Sequence, residues 1–261
     1  MNGASRFLRQ TGEYLYFTFR IRKWLLRSLV IMAVVPGIFL FELPIEVRRV
    51  FAYVFVSLMA AGVYAVANVY AGSAAQTVAV GLLSKKYRNK EYSTPAIEQL
   101  KKRMSLDNVK VLVTPNPVVK SAFTTPMRPR VYLPSAWLTE FPSGEILSII
   151  GHELGHVETR RRFALEVAAA IAAVLAFSFL LAFRSIAIVV QVTEFAALVL
   201  ALTYVSWRNE RRADLVSARE LGPEGLISVL QQLKTRVKRD EGSETHPPLS
   251  DRIRRLVKLL G

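Results

Sequence analysis

The segment His152-Glu153-Leu154-Gly155-His156 carries the residue types of a metal centre. On a helix, His152 and His156 lie one turn apart on the same face, where two imidazoles can bind one Zn²⁺. Glu153 beside them can act as the general base toward water on that metal. The competing interpretation is a helix with two solvated histidines, because the pattern His-Glu-x-x-His also occurs by chance.

The counts of histidine and cysteine narrow the chemistry. The 261 residues include three histidines, and the third, His246, lies far downstream in Thr245-His246-Pro247-Pro248. The chain has no cysteine, which excludes a thiolate zinc site, a disulfide framework and a cysteine nucleophile. A third protein ligand for zinc is therefore either a carboxylate or His246.

Charge and hydropathy together indicate a membrane protein. The chain has 35 Lys and Arg against 20 Asp and Glu, while 52% of its residues are hydrophobic. A basic soluble protein would suggest nucleic acid as a partner. Here the basic residues cluster beside long apolar runs, as they do in membrane proteins. We expect the lipid bilayer as a partner and no nucleic acid.

Four apolar runs are each long enough for a membrane span, which needs about 20 residues. They extend from Trp24 to Leu43, from Val50 to Leu83, from Phe163 to Phe183 and from Ser185 to Trp207. Basic clusters lie before the first and third runs and after the second and fourth. By the positive-inside rule, both termini and residues 84–162 and 208–261 are cytoplasmic. The rival interpretation is a set of long buried core helices.

The predicted hairpin of the third and fourth runs indicates a third ligand. A hairpin that enters the membrane beside the His-Glu-x-x-His helix returns beside it, and the fourth run ends three residues before Glu210. Glu210 is therefore the expected third ligand, and Asp214 can accept the free N–H of a ligating histidine. The alternative for Glu210 is an interfacial charge paired with nearby arginines.

The motifs taken together resemble the HtpX-like membrane zinc proteases, which are gluzincins related to the CAAX prenyl endoproteases. The resemblance rests on two N-terminal apolar runs, His-Glu-Leu-Gly-His, a two-span insertion, Glu210 to Asp214, and Thr-His-Pro-Pro…Arg from Thr245 to Arg252. It implies one Zn²⁺ per chain. It also implies that His246 donates a hydrogen bond to the oxyanion of the tetrahedral intermediate and that Arg252 pairs with Asp214.

Three short strands are predicted before the motif, over Val109 to Val113, Val118 to Thr125 and Arg130 to Leu133. The resemblance places a substrate-binding edge strand at Ala122, Phe123 and Thr124. The family commonly has Asn before this Ala-Phe pair, whereas this chain has Ser121.

The expected fold is mainly α with a small β-sheet, of the α+β class, with four transmembrane helices and a zincin-like cytoplasmic catalytic domain. Residues 1–83 form a basic leader and two transmembrane helices. Residues 84–162 form the first catalytic part, with the sheet and the His-Glu-x-x-His helix. Residues 163–207 form a transmembrane hairpin, and residues 208–261 form the second catalytic part, with the third ligand.

The resemblance implies a plasma-membrane zinc metalloendopeptidase that cleaves unfolded or membrane-associated polypeptides at the cytoplasmic face. Its expected role is membrane protein quality control or a stress response. Two alternatives stay open, a signalling protease with one dedicated substrate and a non-catalytic membrane adaptor or chaperone. The intact Glu153 argues against the adaptor, since a scaffold needs no general base. Oligomeric state and cleavage preference are not readable from the pattern.

Overall fold

The computed structural model describes residues 87–117, 119–125, 129–182, 188–236, 240 and 246–261. Their elements are β1 (Lys90–Glu91), α1 (Pro95–Arg103), β2 (Lys110–Thr114), β3 (Phe123–Thr124), β4 (Arg130–Pro134), α2 (Trp137–Glu140), α3 (Ser143–Ala182), α4 (Ile188–Leu221), α5 (Glu224–Arg236) and α6 (Leu249–Val257). The expectation of a mainly helical fold with a small sheet is confirmed.

The chain divides into two compact units, and the unit made of Gly72–Ala164 and Val205–Gly261 contains the His-Glu-x-x-His motif. The motif lies in α3, a single helix of 40 residues, and Glu210 lies in α4, a helix of 34 residues. Within the part of the chain that the structure describes, no helix combines the length and the hydropathy that a membrane crossing requires. The first two predicted spans lie outside the described residues.

The described strands form one mixed four-stranded sheet in the order β1-β2-β4-β3. β2 and β4 are parallel, and the outer strands β1 and β3 are antiparallel to their neighbours. The predicted strand over Val118 to Thr125 was too long: of its described residues, 119–125, Phe123–Thr124 alone enters the sheet. Upstream, the Val119 N–H donates to the Asn116 carbonyl at 3.0 Å, which is a turn contact. Because β3 is last in the order of the described strands, it forms an edge of the sheet.

The main core lies where the sheet and α1 meet the first half of α3. Its fully buried members include Leu100 of α1, Val131 and Leu133 of β4, and Ile150 and Leu154 of α3. Ile150 and Leu154 lie one turn apart. Their burial fixes the rotation of α3 about its axis. His152 and Glu153 lie between these two residues in sequence. The directions in which their side chains extend from α3 are therefore fixed as well.

Small residues bring α3 and α4 into close contact. A Cβ added at Gly155 would lie 2.9 Å from Cα and 3.0 Å from the carbonyl oxygen of Ala213, so only glycine fits there. One turn earlier, a Cβ at Gly151 would lie 3.0 Å from the Ser217 hydroxyl oxygen. That hydroxyl donates to the Ser148 carbonyl at 2.9 Å. The two backbones thus approach closely at the motif.

Candidate metal centre

Three possible metal ligands converge between α3 and α4. The Nε2 atoms of His152 and His156 lie 3.2 Å apart, as the one-turn spacing on α3 predicts. Glu210 extends from α4 toward both, with Oε1 at 3.1 Å from His156 Nε2 and Oε2 at 3.6 Å from His152 Nε2. His152 and Glu210 are buried and His156 is partly buried.

This arrangement fits Zn²⁺. Tetrahedral zinc with ligand bonds of about 2.0–2.2 Å separates its ligand atoms by about 3.3–3.6 Å. The two imidazole Nε2 atoms, 3.2 Å apart, are close to this separation, and the Glu210 carboxylate has one oxygen 3.1 Å from His156 and the other 3.6 Å from His152. Glu210 Oε2 is a buried atom that accepts no hydrogen bond, which is costly for a carboxylate oxygen without a metal. Two imidazoles and one carboxylate also form a ligand set that suits zinc.

Asp214 and Arg252 surround the ligands with a buried charge network. Asp214 Oδ1 lies 2.9 Å from His152 Nδ1, so the carboxylate can hold the Nδ1–H tautomer and leave Nε2 free for a metal. The Arg252 guanidinium donates two hydrogen bonds to Asp214, at 2.8 and 2.5 Å. Its Nη1 also lies 3.4 Å from Glu210 Oε2.

The cations around the two buried carboxylates keep them ionised. Burial acts to raise the pKa of Glu210, but the charges of His246, His156 and Arg252 outweigh it and hold that pKa well below its ordinary value. The pKa of Asp214 is also lowered, because Arg252 and His152 outweigh the effect of burial. Both side chains are therefore anionic at neutral pH, as a metal ligand and its supporting carboxylate need to be.

The structure places Glu153 against the edge strand. The Thr124 hydroxyl donates to Glu153 Oε2 at 2.7 Å and lies 3.1 Å from the Glu153 carbonyl oxygen. The sequence had indicated substrate binding as the role of Thr124, and this contact was not predicted. The residues lie 29 positions apart, and nothing in the local pattern of either segment indicates that they meet.

Asn209 is a second residue that sequence analysis missed. Its side-chain amide lies 3.0 Å from His156 Nδ1 and 3.0 Å from the Thr159 hydroxyl. Thr159 also lies 2.9 Å from the Gly155 carbonyl oxygen. Two facts could have indicated this contact. Asn209 directly precedes Glu210, and Asp214 was assigned to His152, which left the Nδ1 atom of His156 without a predicted partner.

His246 lies at the edge of the centre. Its side chain is half exposed, and its Nε2 lies 3.6 Å from Glu210 Oε1. A cavity of about 320 Å³ opens here, lined at this end by His152, Glu153, Glu210, His246 and Arg252. Ser121 and Ala122 border the same cavity. Of the predicted edge strand, Ala122 borders the cavity and Thr124 contacts Glu153, whereas Phe123 packs against Tyr132 in a separate apolar cluster.

Comparison with known proteins gives two findings. The model of peptidase family M48 matches residues 88–260, which is more than half of the chain. The fold resembles the crystal structure of S. mikatae Ste24p, with a TM-score of 0.50 and 15% sequence identity. That likeness covers 96% of this chain but 65% of the other, so this chain spans just under two thirds of its length. No curated protein matches the sequence.

The match extends over the whole sheet, the His-Glu-x-x-His helix, Glu210 and the C-terminal helix α6. The chain therefore belongs to peptidase family M48, a family of zinc metallopeptidases, with His152, His156 and Glu210 as its candidate metal site.

Proposed function

We propose that this protein is a zinc-dependent endopeptidase in which His152, His156 and Glu210 hold the metal and Glu153 is the general base. The observation that carries the proposal is the convergence of the three ligand atoms within 4.8 Å of one another, with Glu153 beside them at a cavity. When bound, Zn²⁺ supplies Lewis acidity and lowers the pKa of a coordinated water toward about 7.

The side chains around the metal site carry out proton transfer, positioning of the base and stabilisation of the oxyanion. Glu153 takes a proton from the attacking water and returns it to the leaving amine, so the proton lost at the start of hydrolysis ends on the new N-terminus. Thr124 holds the Glu153 carboxylate in place through its 2.7 Å hydrogen bond. His246 lines the cavity and can donate from its ring to the oxyanion.

The edge strand supports the binding of an extended polypeptide. β3 pairs with β4 on one side, and no described strand pairs with its other side. A substrate strand added there gains backbone hydrogen bonds while its scissile bond lies near Glu153. Ala122, Phe123 and Thr124 are the residues proposed for this contact.

We further propose an HtpX-like membrane location, with catalysis at the cytoplasmic face on unfolded or membrane-associated proteins. The support comes from the four apolar runs and their basic flanks. Leu165 of α3 and Leu200 of α4, with 71% and 70% of their surfaces exposed, agree with contact to lipid. Quality control of membrane proteins is the role that such a location and such substrates favour.

Replacing the general base tests the function directly. We expect Glu153→Gln to retain zinc and to lose cleavage of an unfolded model protein by at least a hundredfold, because proton transfer contributes about 10²–10⁴-fold. The matched variant Glu210→Ala should lose both zinc and cleavage. The assay is zinc-supplemented proteolysis by the purified full-length chain, with zinc measured by elemental analysis.

Cleavage by Glu153→Gln at the wild-type rate would contradict the assignment of Glu153. Zinc binding without Glu153-dependent cleavage would favour the adaptor. Full zinc occupancy in Glu210→Ala would show that another group is the third ligand.

A further inference from the structure

The two residues of the edge strand β3 extend their side chains to opposite faces of the sheet. On one face, the Phe123 ring stacks on Tyr132 with 5.1 Å between the ring centroids. Successive side chains of a strand alternate between the faces. The Thr124 side chain accordingly extends to the other face, where its hydroxyl donates to Glu153 Oε2 at 2.7 Å. The strand proposed to bind substrate therefore also contacts the proposed base.

The backbone groups of Thr124 face away from the sheet. The Thr125 N–H donates to the Arg130 carbonyl at 3.1 Å, so these two residues form a hydrogen-bonded pair of the antiparallel ladder. Hydrogen-bonded and non-hydrogen-bonded pairs alternate along such a ladder. Phe123 therefore belongs to the next hydrogen-bonded pair, whereas Thr124, opposite Val131, belongs to the pair without mutual hydrogen bonds. The N–H and C=O of Thr124 consequently point outward from the edge, where no described strand lies.

We propose that Thr124 couples substrate binding to the base. A polypeptide strand that pairs with the outward N–H and C=O of Thr124 fixes this residue, and the Thr124 hydroxyl then fixes the Glu153 carboxylate for proton transfer. The inference rests on the proposed peptidase function and adds a form of regulation to it. The substrate class that this coupling favours is an extended segment with free backbone amides, because an α-helix already uses these groups within itself.

The shortness of β3 explains why an added strand matters. β3 has two residues, and the structure describes a partner strand on one side of it. The ladder with β4 holds the backbone groups of the neighbours of Thr124 but not its own. A rotation of the backbone at Thr124 would move its hydroxyl relative to α3. A substrate strand that holds the outward groups opposes this rotation and maintains the contact with Glu153.

Glu153 in turn depends on the Thr124 hydroxyl. Glu153 is buried, and of the described side chains Thr124 alone donates a hydrogen bond to its carboxylate. Hydrogen bonds from a hydroxyl to a charged oxygen belong to the stronger class. The Glu153 main-chain carbonyl, at 3.1 Å from the same hydroxyl, is a more distant and neutral acceptor. Because the burial of Ile150 and Leu154 fixes α3, the remaining freedom of the base lies in its own side-chain torsions, which the hydroxyl restricts.

Removing the hydroxyl tests the coupling from the side of the protein. Thr124→Val keeps the branched shape and Thr124→Ser keeps the hydroxyl, each in the zinc-loaded full-length chain. On an unfolded peptide with a single cleavage site, we expect the kcat of Thr124→Val to fall about 10–100-fold while its KM and zinc content stay within about twofold of wild type. Thr124→Ser should recover most of the lost kcat. The control is Thr235→Val, which removes an exposed hydroxyl on α5 that donates to the Gln232 carbonyl.

The results that would overturn the coupling differ from a loss of structure. A kcat of Thr124→Val equal to that of the control would overturn it. A loss confined to KM or to zinc content would also overturn it, as would an equal loss of kcat in Thr124→Ser, which would indicate packing. Should Thr124→Val not fold, Thr124→Ala removes the same hydroxyl and takes its place.

A change in the substrate backbone tests the coupling from the other side. Replacing one peptide amide by an ester removes a single backbone N–H and leaves every side chain in place. In a series with one ester at each position around the cleaved bond, we expect one position at which the ester lowers the wild-type kcat about 3–10-fold. In Thr124→Val, the same ester should change KM alone, because the hydroxyl that connects strand pairing to Glu153 is absent. Equal effects of every ester on kcat in the two enzymes would overturn the coupling.

Glu153→Gln separates the coupling from the peptidase function. Cleavage that depends on Glu153 but is insensitive to the Thr124 hydroxyl overturns the coupling and leaves the peptidase function intact. Absence of Glu153-dependent cleavage overturns the peptidase function and the coupling that rests on it. A kcat that falls in Thr124→Val and returns in Thr124→Ser, together with an ester effect on kcat seen in wild type alone, supports both.

Discussion

The hydrogen bonds at Asn209 determine which nitrogen of His156 faces the metal. The Thr159 hydroxyl has one proton, and the Gly155 carbonyl at 2.9 Å can only accept it. In the structure Asn209 Oδ1 lies 3.0 Å from Thr159 Oγ1 and Nδ2 lies 3.0 Å from His156 Nδ1. Exchanging these two amide atoms lets Thr159 accept from the amide group while it donates to Gly155, and turns the Asn209 oxygen toward His156 Nδ1. Oxygen and nitrogen of an amide are assigned by such networks. His156 is thereby held as the Nδ1–H tautomer, with Nε2 free to bind zinc.

A pair of substitutions at Asn209 tests this orientation. Asn209→Leu keeps the volume and loses the acceptor, and we expect zinc affinity to fall about 10–100-fold, the usual effect of removing such a partner. Asn209→Asp keeps the acceptor for His156 and loses only the donor to Thr159, so it should retain affinity within a fewfold. The measurement is competition with a chromophoric chelator. Equal losses in both variants would indicate a packing role instead.

At the level of the helices, the seam between α3 and α4 controls the third ligand. Gly155 lies against the backbone of Ala213, which neighbours Asp214 and is three residues from Glu210. Two helices that bind one metal from separate segments need a fixed separation, and the missing side chain at Gly155 provides it.

Gly155→Ala should therefore impair the metal site without touching a ligand. The added Cβ would meet the Ala213 backbone at 2.9 Å, which has to move, and overpacking of this kind costs about 1–3 kcal/mol. We expect weaker zinc binding and a lower unfolding temperature. Gly144→Ala is the matched control, because a Cβ there meets nothing within 4 Å. Equal zinc affinity in the two variants would contradict the role of the seam.

Helix α6 depends on a carboxylate from outside the helix. Its N-cap, Pro248, has no side-chain acceptor, and the first backbone N–H groups of the helix bind Asp240 instead. α6 carries Arg252, so this cap supports the position of the guanidinium that binds Asp214. Burial acts to raise the pKa of Asp240, but the hydrogen bonds from Ser250 and Leu249 outweigh it and lower that pKa.

Asp240→Ala should destabilise the protein in a pH-dependent way. Loss of an N-terminal cap costs about 0.5–2 kcal/mol. Because the folded pKa lies below the unfolded one, the carboxylate stabilises fully above about pH 4 and its contribution is lost as the pH falls through the folded pKa. The difference in unfolding free energy from wild type should thus be present at pH 7 and shrink below pH 4. Asp107→Ala, at an exposed turn, is the control and should leave the unfolding free energy at pH 7 close to that of wild type.

For the molecule as a whole, the metal site joins segments that are distant in sequence. It takes two ligands from α3 and one from α4, while Arg252 of α6 and Thr124 of β3 contact that set. Without a metal, the buried Glu210 has one carboxylate oxygen, Oε2, that accepts no hydrogen bond. Zinc therefore stabilises the tertiary arrangement of the unit as well as supplying chemistry.

Removal of zinc should lower the unfolding temperature of the full-length chain. A metal that binds only the folded state adds about 2.7 kcal/mol at a free concentration one hundred times its Kd. Thermal unfolding with a chelator and after zinc is restored measures this shift. His152→Ala should show no shift, and a shift equal to wild type in that variant would place the stabilising zinc elsewhere.

Local patterns in the sequence were sufficient to predict the helix that carries the motif, the ligand pair His152 and His156, and the position of Glu153 between them. All of these depend on residues within one or two turns, where the helical repeat alone decides which side chains share a face. The absence of cysteine also limited the donors to imidazole and carboxylate. Glu210 needed one more assumption, that a hairpin returns to the helix that it leaves.

The contacts that depend on packing between segments were not visible in the sequence. The hydrogen bond from Thr124 to Glu153 and the contact of Asn209 with His156 each require separate elements to meet at a particular distance and rotation. Those are set by the burial of Ile150 and Leu154 and by the approach of Gly155 to Ala213. Periodicity identifies the face that a helix buries. The neighbour that this face meets follows only from close packing of the whole unit.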